Sequence, residues 1–424
     1  MLRCAAAALL LVAAVLLLRP SAPYRRIVRV PAGTVEVHSE MHFPANTEVV
    51  GQATLLHAAA DFQGRAILVV DGPGVRLRDF TIDGNRDTLE QRTGLPPSDV
   101  PFSRFTHANG ILADSVRDLR IERVAFRNIA GFAVLVSRSQ DIAIDHVRVD
   151  DSGSRDGAGR NNTTGGILLE EGSSDFRVTF SEFRNVRGNG VWTHSLYTSP
   201  RNARGLIADN LFDTVGRDAI QVGHAVDVRV EENSGARIGF PFEVVDMEHL
   251  AVPAALDTAG NVERCAYVRN RFNDLDGKCI DLDGFHDGAV FENTCINTGP
   301  PDQYRYGNYG IVMNNSNPDM QPNNVRIVGN TIVEPRYGGI FIIGEGNVVA
   351  RNRLLNVIPA REGPDILRSG IYLGAGADRP APARRNRVED NDITGSQMAV
   401  RCVSLAPGVA PGSNTIRGNR CRNE

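Results

Sequence analysis

One phrase recurs along most of this 424-residue chain: a small residue opens an apolar-x-apolar strand, and an asparagine turn follows. The strand half reads Gly110-Ile111-Leu112, Gly166-Ile167-Leu168-Leu169, Gly190-Val191-Trp192-Thr193, Ala219-Ile220-Gln221-Val222, Cys279-Ile280-Asp281-Leu282, Gly310-Ile311-Val312-Met313, Gly339-Ile340-Phe341-Ile342 and Gly370-Ile371-Tyr372-Leu373. The turn half carries Asn210, Asn270, Asn293, Asn330, Asn352, Asn391 and Asn419. Its tightest intervals, Asn330 to Asn352 and Asn270 to Asn293, fall within the ~20–50 residues typical of solenoids. A unit this short cannot bury its own apolar side. Stacked on its neighbours it contributes to one continuous core.

A repeat array escapes the usual count of domains by length, because its core grows in one dimension. Val, Ile, Asn, Asp and Gly recur throughout, which suits short strands and tight turns. The net charge is −4, so there is no electrostatic ground for nucleic-acid binding. The basic content is almost all arginine, with Lys278 the single lysine. Residues 5–18 are an unbroken apolar run behind Arg3. That is the form of a secretory signal and is short of the ~20 residues of a membrane span. Residues 1–22 are therefore expected to direct export, to a secreted or periplasmic location. Membrane attachment would follow only if this segment stayed as an uncleaved anchor. Behind it remain Cys265, Cys279, Cys295, Cys402 and Cys421, an odd number that cannot all pair internally. Cys402 and Cys421 fall on the last two repeats, where a bridge would clamp the end. Cys279 and Cys295 read as small apolar residues buried in the stack.

Residues 27–108 form a lead-in. The alternation in 75–82 makes a half-buried strand, and such a segment would cover the open edge of the first coil. Repeats then occupy 109–424, with no linker and no second domain. Stretches rich in Gly, Pro, Asn, Asp or Ser interrupt the beat at 86–104, 151–164, 197–204, 234–261, 298–309, 317–323, 359–369 and 377–385. These are loop compositions, and insertions in repeat proteins often wall a binding face.

The opening Val30-Pro31-Ala32-Gly33-Thr34, the strand Thr81-Ile82-Asp83-Gly84-Asn85 and the asparagine turns together resemble the pectate lyase and polygalacturonase superfamily. The resemblance covers the chain from about Ile27 to Asn423. It implies an all-β fold, a right-handed parallel β-helix of about ten coils. It also implies a secreted protein that binds or cleaves acidic polysaccharides: a lyase, a hydrolase, an epimerase or a tailspike-like binder. The fold alone does not choose between these chemistries.

Side chains alternate between the faces of a strand, so aligning the repeats yields two outward columns. The first reads Leu168, Trp192, Gln221, Asp281, Val312, Phe341, Tyr372. The second reads Glu170, His194, Gly223, Asp283, Asn314, Ile343, Gly374. Acids beside the rings of Trp192, Phe341 and Tyr372 suit a sugar: rings offer flat apolar faces, and polar groups fix hydroxyls. Glu170, Trp192, Gln221, His224, His286, Asn314, Phe341 and Tyr372 are thus the candidate substrate-binding residues of a groove. A solvated sheet face would also be polar at these positions.

The densest acidic stretch is Lys278-Cys279-Ile280-Asp281-Leu282-Asp283-Gly284-Phe285-His286-Asp287. Carboxylates this close repel, and need a cation or a raised pKa. One reading is a Ca²⁺ site of Asp281, Asp283 and Asp287. There the metal would neutralise a uronate, with Lys278 as the base of an elimination. The other is hydrolysis by two carboxyls ~6.5–9.5 Å apart, met by Asp281 with Asp283 or by either with Asp218. Turn-forming aspartates would also produce this pattern.

Asp218 resembles the paired-aspartate coil start of polygalacturonases, but Arg217 stands where the first aspartate would be. That family's Arg-x-Lys is missing, and its Gly-His-Gly is only echoed by Gly223-His224-Ala225. His194, beside Trp192, is a candidate binding or acid–base residue. The sequence thus points to a secreted enzyme on an acidic glycan, with elimination slightly ahead of hydrolysis because of Lys278. A non-catalytic glycan-binding or structural solenoid and a uronate epimerase remain as alternatives.

Overall fold

Short strands ended by left-handed residues wind the chain into stacked coils. In the computed structural model, which describes residues 26–424 except 91–93, 161–163, 246–251, 301–302, 360–361 and 363–364, most coils repeat one path. The expected export signal at 1–22 lies outside the described residues. A representative coil runs through the strands Val134–Ser137, Gln140–Asp145 and Arg148–Asp150. Each strand pairs in parallel with its counterparts one coil before and one coil after, so that Val134 lies between Ile111 and Ile167. Bends between strands are made by single residues at positive φ, among them Arg138, His146 and Asp151. Each such residue costs ~1–2 kcal/mol outside glycine, so something must fix it in place.

Asparagines do this on one edge of the stack. The side-chain amide of Asn210 donates to Asn233 Oδ1 at 2.9 Å, and Asn233 donates likewise to Asn270 at 2.9 Å. The ladder continues through Asn293, Asn330, Asn352 and Asn391 to Asn419. Every rung also takes a backbone N–H from the coil before, as Asn270 Oδ1 does from Asn233 at 3.1 Å. The residue preceding each rung lies at positive φ: Asp209, Glu232, Arg269, Glu292, Gly329, Arg351, Asp390 and Gly418. Buried amides so placed satisfy one another and lock the turn. Asn233 belongs to this ladder although its repeat is too irregular to show the rung in sequence.

The interior is an unbroken column of branched aliphatics with stacked rings, such as Phe183 on Phe212 at 4.8 Å between centroids. Two disulfides cross it. Cys402–Cys421 clamps the last coils, as the spacing suggested. Cys279–Cys295 corrects the expectation of two unpaired thiols. Their strands belong to one coil and both side chains point inward, with Cα atoms 5.9 Å apart, within bridging reach. Among the described residues Cys265 is the free cysteine, and burial pushes its thiol up to about 12. Two such bridges fit an oxidising compartment.

The lead-in is itself coiled. Its strands Thr54–Val70 and Val75–Arg78 stack directly under those of the first repeats. The stretch 234–261, expected as a loop, also contains ladder strands, Ser234–Ile238 and the first part of Ala254–Glu263. Among the described residues no helix is long and apolar enough to cross a membrane.

Candidate functional site

The first strands of the coils share an outward column. It runs Val69, Leu112, Leu135, Leu168, Trp192, Gln221, then Asp257. Leu256 pairs with Ile280, which puts Asp281 beside Asp257. Val312, Phe341 and Tyr372 follow. The column aligned from sequence is therefore correct in register, with one coil missing. That coil carries Asp257, which sequence reasoning did not find. Its strand lacks the opening glycine and holds a polar residue, Thr258, at an inward position. Inside the stack the Thr258 hydroxyl is within 2.7 Å of the Tyr267 hydroxyl. The usable signal was the apolar–polar pair Leu256-Asp257, parallel to Ile220-Gln221 and Ile280-Asp281.

Asp218, Asp257, Asp281 and Asp283, with Gln221 and Arg217, line a small cavity of about 130 Å³. Asp218 Oδ1 accepts the Ala254 N–H at 2.7 Å. Burial pushes its carboxyl up to about 6, against the pull of Arg217. Asp257 accepts from Gln221 Nε2 at 2.5 Å. Burial, then the carboxylates of Asp218 and Asp281, hold it well above the usual range. Asp281 is 8 % exposed, and its Oδ2 meets the Lys278 ammonium. Burial draws that ammonium down, but the Asp281, Asp257 and Asp218 carboxylates outweigh it and leave it raised. The other oxygen, Asp281 Oδ1, is buried and has no hydrogen-bond partner. An unpartnered carboxylate oxygen among raised carboxyls is an arrangement that holds and moves protons.

A second cavity of about 370 Å³ adjoins the first and shares Gln221, Ala259 and Asp283 with it. Trp192 and His194 lie in its floor, Pro96, Pro97 and Phe102 in one wall, and Leu196, Tyr197 and Met320 in the others. His194 is half-buried, with its ring edge-on to Trp192 and Phe102 at 5.2 and 5.4 Å. Burial lowers it to about 4, so it is neutral at pH 7, and its Nδ1 has no partner. It is thus placed as a neutral hydrogen-bonding group. His224 stands under the exposed Tyr197 ring at 4.2 Å. Gly260 makes room for it: a Cβ there would come within 2.6 Å of His224 Nε2.

Other sequence candidates lie elsewhere. Glu170, expected in the groove, is fully buried and accepts the N–H groups of Phe102 and Ser103, each at 2.9 Å. The short helix Phe102–Phe105 covers it. Trp192 is 8 % exposed and packs against Phe102 and Phe132, so mainly an edge of it reaches the cavity. Phe341, expected as a sugar platform, is 3 % exposed beneath Tyr309. Tyr372 is half-buried. Asn314 donates to Asp378 at 3.0 Å. His286 is buried outside both cavities, between Asp287 at 2.7 Å and Asn261 at 3.0 Å.

The expected calcium ligands do not form a set. Asp281 faces Lys278, Asp283 accepts from the Ser316 N–H and hydroxyl, and Asp287 pairs with His286 and Asn324. Among the described residues the group gathered closely enough for an ion is Glu170, Glu171 and His194. Both of those carboxylates are already engaged, Glu171 by the Leu196 N–H and the Ser199 hydroxyl. The charge beside Asp281 is supplied by Lys278, and these residues fit no hard cation.

Residues 65–235 match the family model described as the right handed beta helix region. No curated protein matches the chain. Among solved structures the chain is similar to PfbA, a surface adhesin of Streptococcus pneumoniae, at 14 % identity over 85 % of this chain and 84 % of that one, with a TM-score of 0.56. It is also similar to a family 28 exopolygalacturonase of Yersinia enterocolitica, at 10 % identity over 95 % and 73 % of the two chains, with a TM-score of 0.53. A third is a mannuronic acid specific family 6 polysaccharide lyase from human gut microbiota, at 14 % identity over 90 % and 77 %, with a TM-score of 0.51. The fold is a right-handed parallel β-helix.

Proposed function

We propose that the protein is a glycan-active enzyme, and that it cleaves by hydrolysis on Asp257 and Asp281. The observation that carries this is the pairing of a raised carboxyl with a carboxylate whose free oxygen is desolvated, in adjacent coils of one cavity. Asp257 holds a proton and is the acid that delivers it to the glycosidic oxygen. Asp281 is the carboxylate that attacks the anomeric carbon. Strands of neighbouring coils lie ~4.8 Å apart, near the ~5–5.5 Å separation of retaining pairs. As the leaving alcohol departs, Asp257 becomes ionised; it then takes a proton from the incoming water, whose oxygen replaces Asp281 on the anomeric carbon and frees the carboxylate. Asp218 keeps the proton on Asp257 by like-charge repulsion, and Lys278 steadies Asp281 through Oδ2.

The same geometry argues against elimination. A base must be unprotonated, whereas Lys278 is held as the ammonium chiefly by the Asp281 carboxylate it meets. The cavity sets one arginine, Arg217, against Asp218, Asp257, Asp281 and Asp283, a balance of charge that disfavours a sugar carboxylate. The test is a panel of neutral and uronate oligosaccharides, with and without a chelator, read for new reducing ends and for the ultraviolet absorbance of unsaturated products. Hydrolysis gives reducing ends without absorbance, insensitive to chelation. An absorbance rise lost on chelation would establish the calcium-dependent lyase instead. Tight binding with neither signal on any substrate would establish the non-catalytic binding solenoid.

A further inference from the structure

The outward face of the first strands is closed on one side of the carboxylates. Val69, Leu112, Leu135 and Leu168, all in the same column, are dry beneath Phe102 and Phe132. Phe102 meets Trp192 at 5.0 Å and Phe132 at 5.8 Å, both edge-on. The helix Phe102–Phe105 is held down by the buried Glu170 carboxylate. A sugar chain laid along the stack therefore meets a wall at the coil of Trp192. Towards the other end the column stays partly open, through the half-buried Val312 and Tyr372.

The cavity against the wall has a definite charge. Among the described residues no lysine or arginine lines it, and the ionisable ones that do are Asp283, His194, His224 and Tyr197. Asp319 acts as a negative charge on Tyr197 and His224, while Arg201, which also acts on His224, is paired with Glu263. A uronate carboxylate would lose its water here with no unpaired cation in the lining to replace it, and beside a carboxylate. What the cavity does offer is Trp192, Tyr197, Leu196 and Met320 for an apolar sugar face, with neutral imidazoles for hydroxyls.

From this wall and this lining we infer that the pocket receives the neutral terminal sugar of a glycan, so that the protein recognises chain ends and not internal segments. The inference rests on the glycan reading above but not on hydrolysis. It replaces the acidic substrate expected from sequence with a neutral chain end. Glu170 enters as a positioning residue: it touches no sugar and acts by holding the wall.

The test is binding by the full-length Asp257→Asn protein, which removes turnover, to an array of paired oligosaccharides. One member of each pair ends in glucose, galactose or N-acetylglucosamine, and the other in the matching uronic acid or in the same sugar blocked by a further residue. The inference predicts binding to free neutral ends, at least ten-fold weaker for the uronate-ended and blocked partners. Glu170→Gln is expected to narrow the gap between free and blocked ends. A purely structural role would weaken both members alike. Equal binding of blocked and free ends, preference for uronate ends, or no binding of any neutral end would overturn it. Neutral-end binding by a wild-type protein without turnover would uphold this inference and sink the hydrolase.

Discussion

The coils around Leu135 and Leu168 and the coils around Asp257 and Asp281 are built alike. Both place inward residues at the same register, aliphatic save for Thr258, and both extend the same outward column. Yet the first segment of that column is dry under Phe102 and Phe132, while the second is a cavity of raised carboxyls. In a solenoid the inward positions are constrained by the stack and repeat. The outward positions are free to differ from coil to coil, and the insertions decide which of them meet water. Function on such a fold is a local choice at a few outward positions, not a property of the repeat.

Substitutions on the two sides should therefore separate activity from stability. Asp257→Asn is expected to lower kcat by ~10²–10⁴, the usual contribution of a general acid. Because it removes one of three mutually repelling carboxyls, its melting temperature should stay the same or rise. On the dry side Leu168→Ala is expected to cost ~2–5 kcal/mol of stability by opening a cavity under the wall. The kcat of the protein that remains folded should hold within about two-fold. Denaturation midpoints and steady-state rates on the two variants check this. A stable Asp257→Asn protein with full activity would remove Asp257 from the reaction.

pH should act on the two regions unequally. Asp218 is raised to about 6 from 3.8, so the folded state binds its proton more tightly than the unfolded chain does. The stabilisation is complete below the unfolded value and is lost as the pH climbs through the folded one. The loss amounts to about 3 kcal/mol at ~1.36 kcal/mol per unit. Stability should thus fall between about pH 4 and pH 7, and Asp218→Asn should flatten that slope. Turnover should decline only at higher pH, as Asp257, held well above the usual carboxylate range, loses its proton, with an apparent value that belongs to the Asp218–Asp257 group. The outward positions of the dry column carry no titrating residue, although the buried Glu170 carboxyl on the strand of Leu168 is raised by burial and adds to the same fall; Leu168→Ala leaves both carboxyls in place and should shift the whole stability curve without changing its shape.

The difference between the regions also explains what was legible in the sequence. Strand register, the interior and most of the asparagine ladder were readable because each repeats with a fixed chemistry. The Asp281 strand was readable for the same reason. Asp257 was not, because its coil falls in the stretch 234–261, whose loop-like composition hides the strand Ala254–Glu263. The covered positions were not readable either. Nothing in the alternation around Glu170 or Phe341 says that 102–105 or Tyr309 will lie over them, since cover comes from insertions far away in the chain. Lys278 was read as a free base because the closeness of its nearest carboxylate, three residues on along the same strand, depends on rotamers that spacing does not specify.

Gln221 marks the boundary, between Trp192 and Asp257 in the column. Its Oε1 accepts from the Asn189 amide at 2.8 Å, and its Nε2 donates to Asp257. That donation favours the charged form of Asp257 and so opposes the burial that raises it. Gln221→Leu extends the dry segment by one coil and removes this counterweight, so Asp257 should keep its proton to higher pH. The alkaline limb of the rate profile should move up, while kcat falls only about three- to ten-fold, the scale of one net hydrogen bond. Gln221→Glu should restore an acceptor for Asn189 but set a carboxylate beside Asp257, moving the limb further in the same direction. If both variants left the profile unchanged, the proton that limits turnover would not be on Asp257, and the boundary between dry and reactive coils would lie one strand further on, at Asp281.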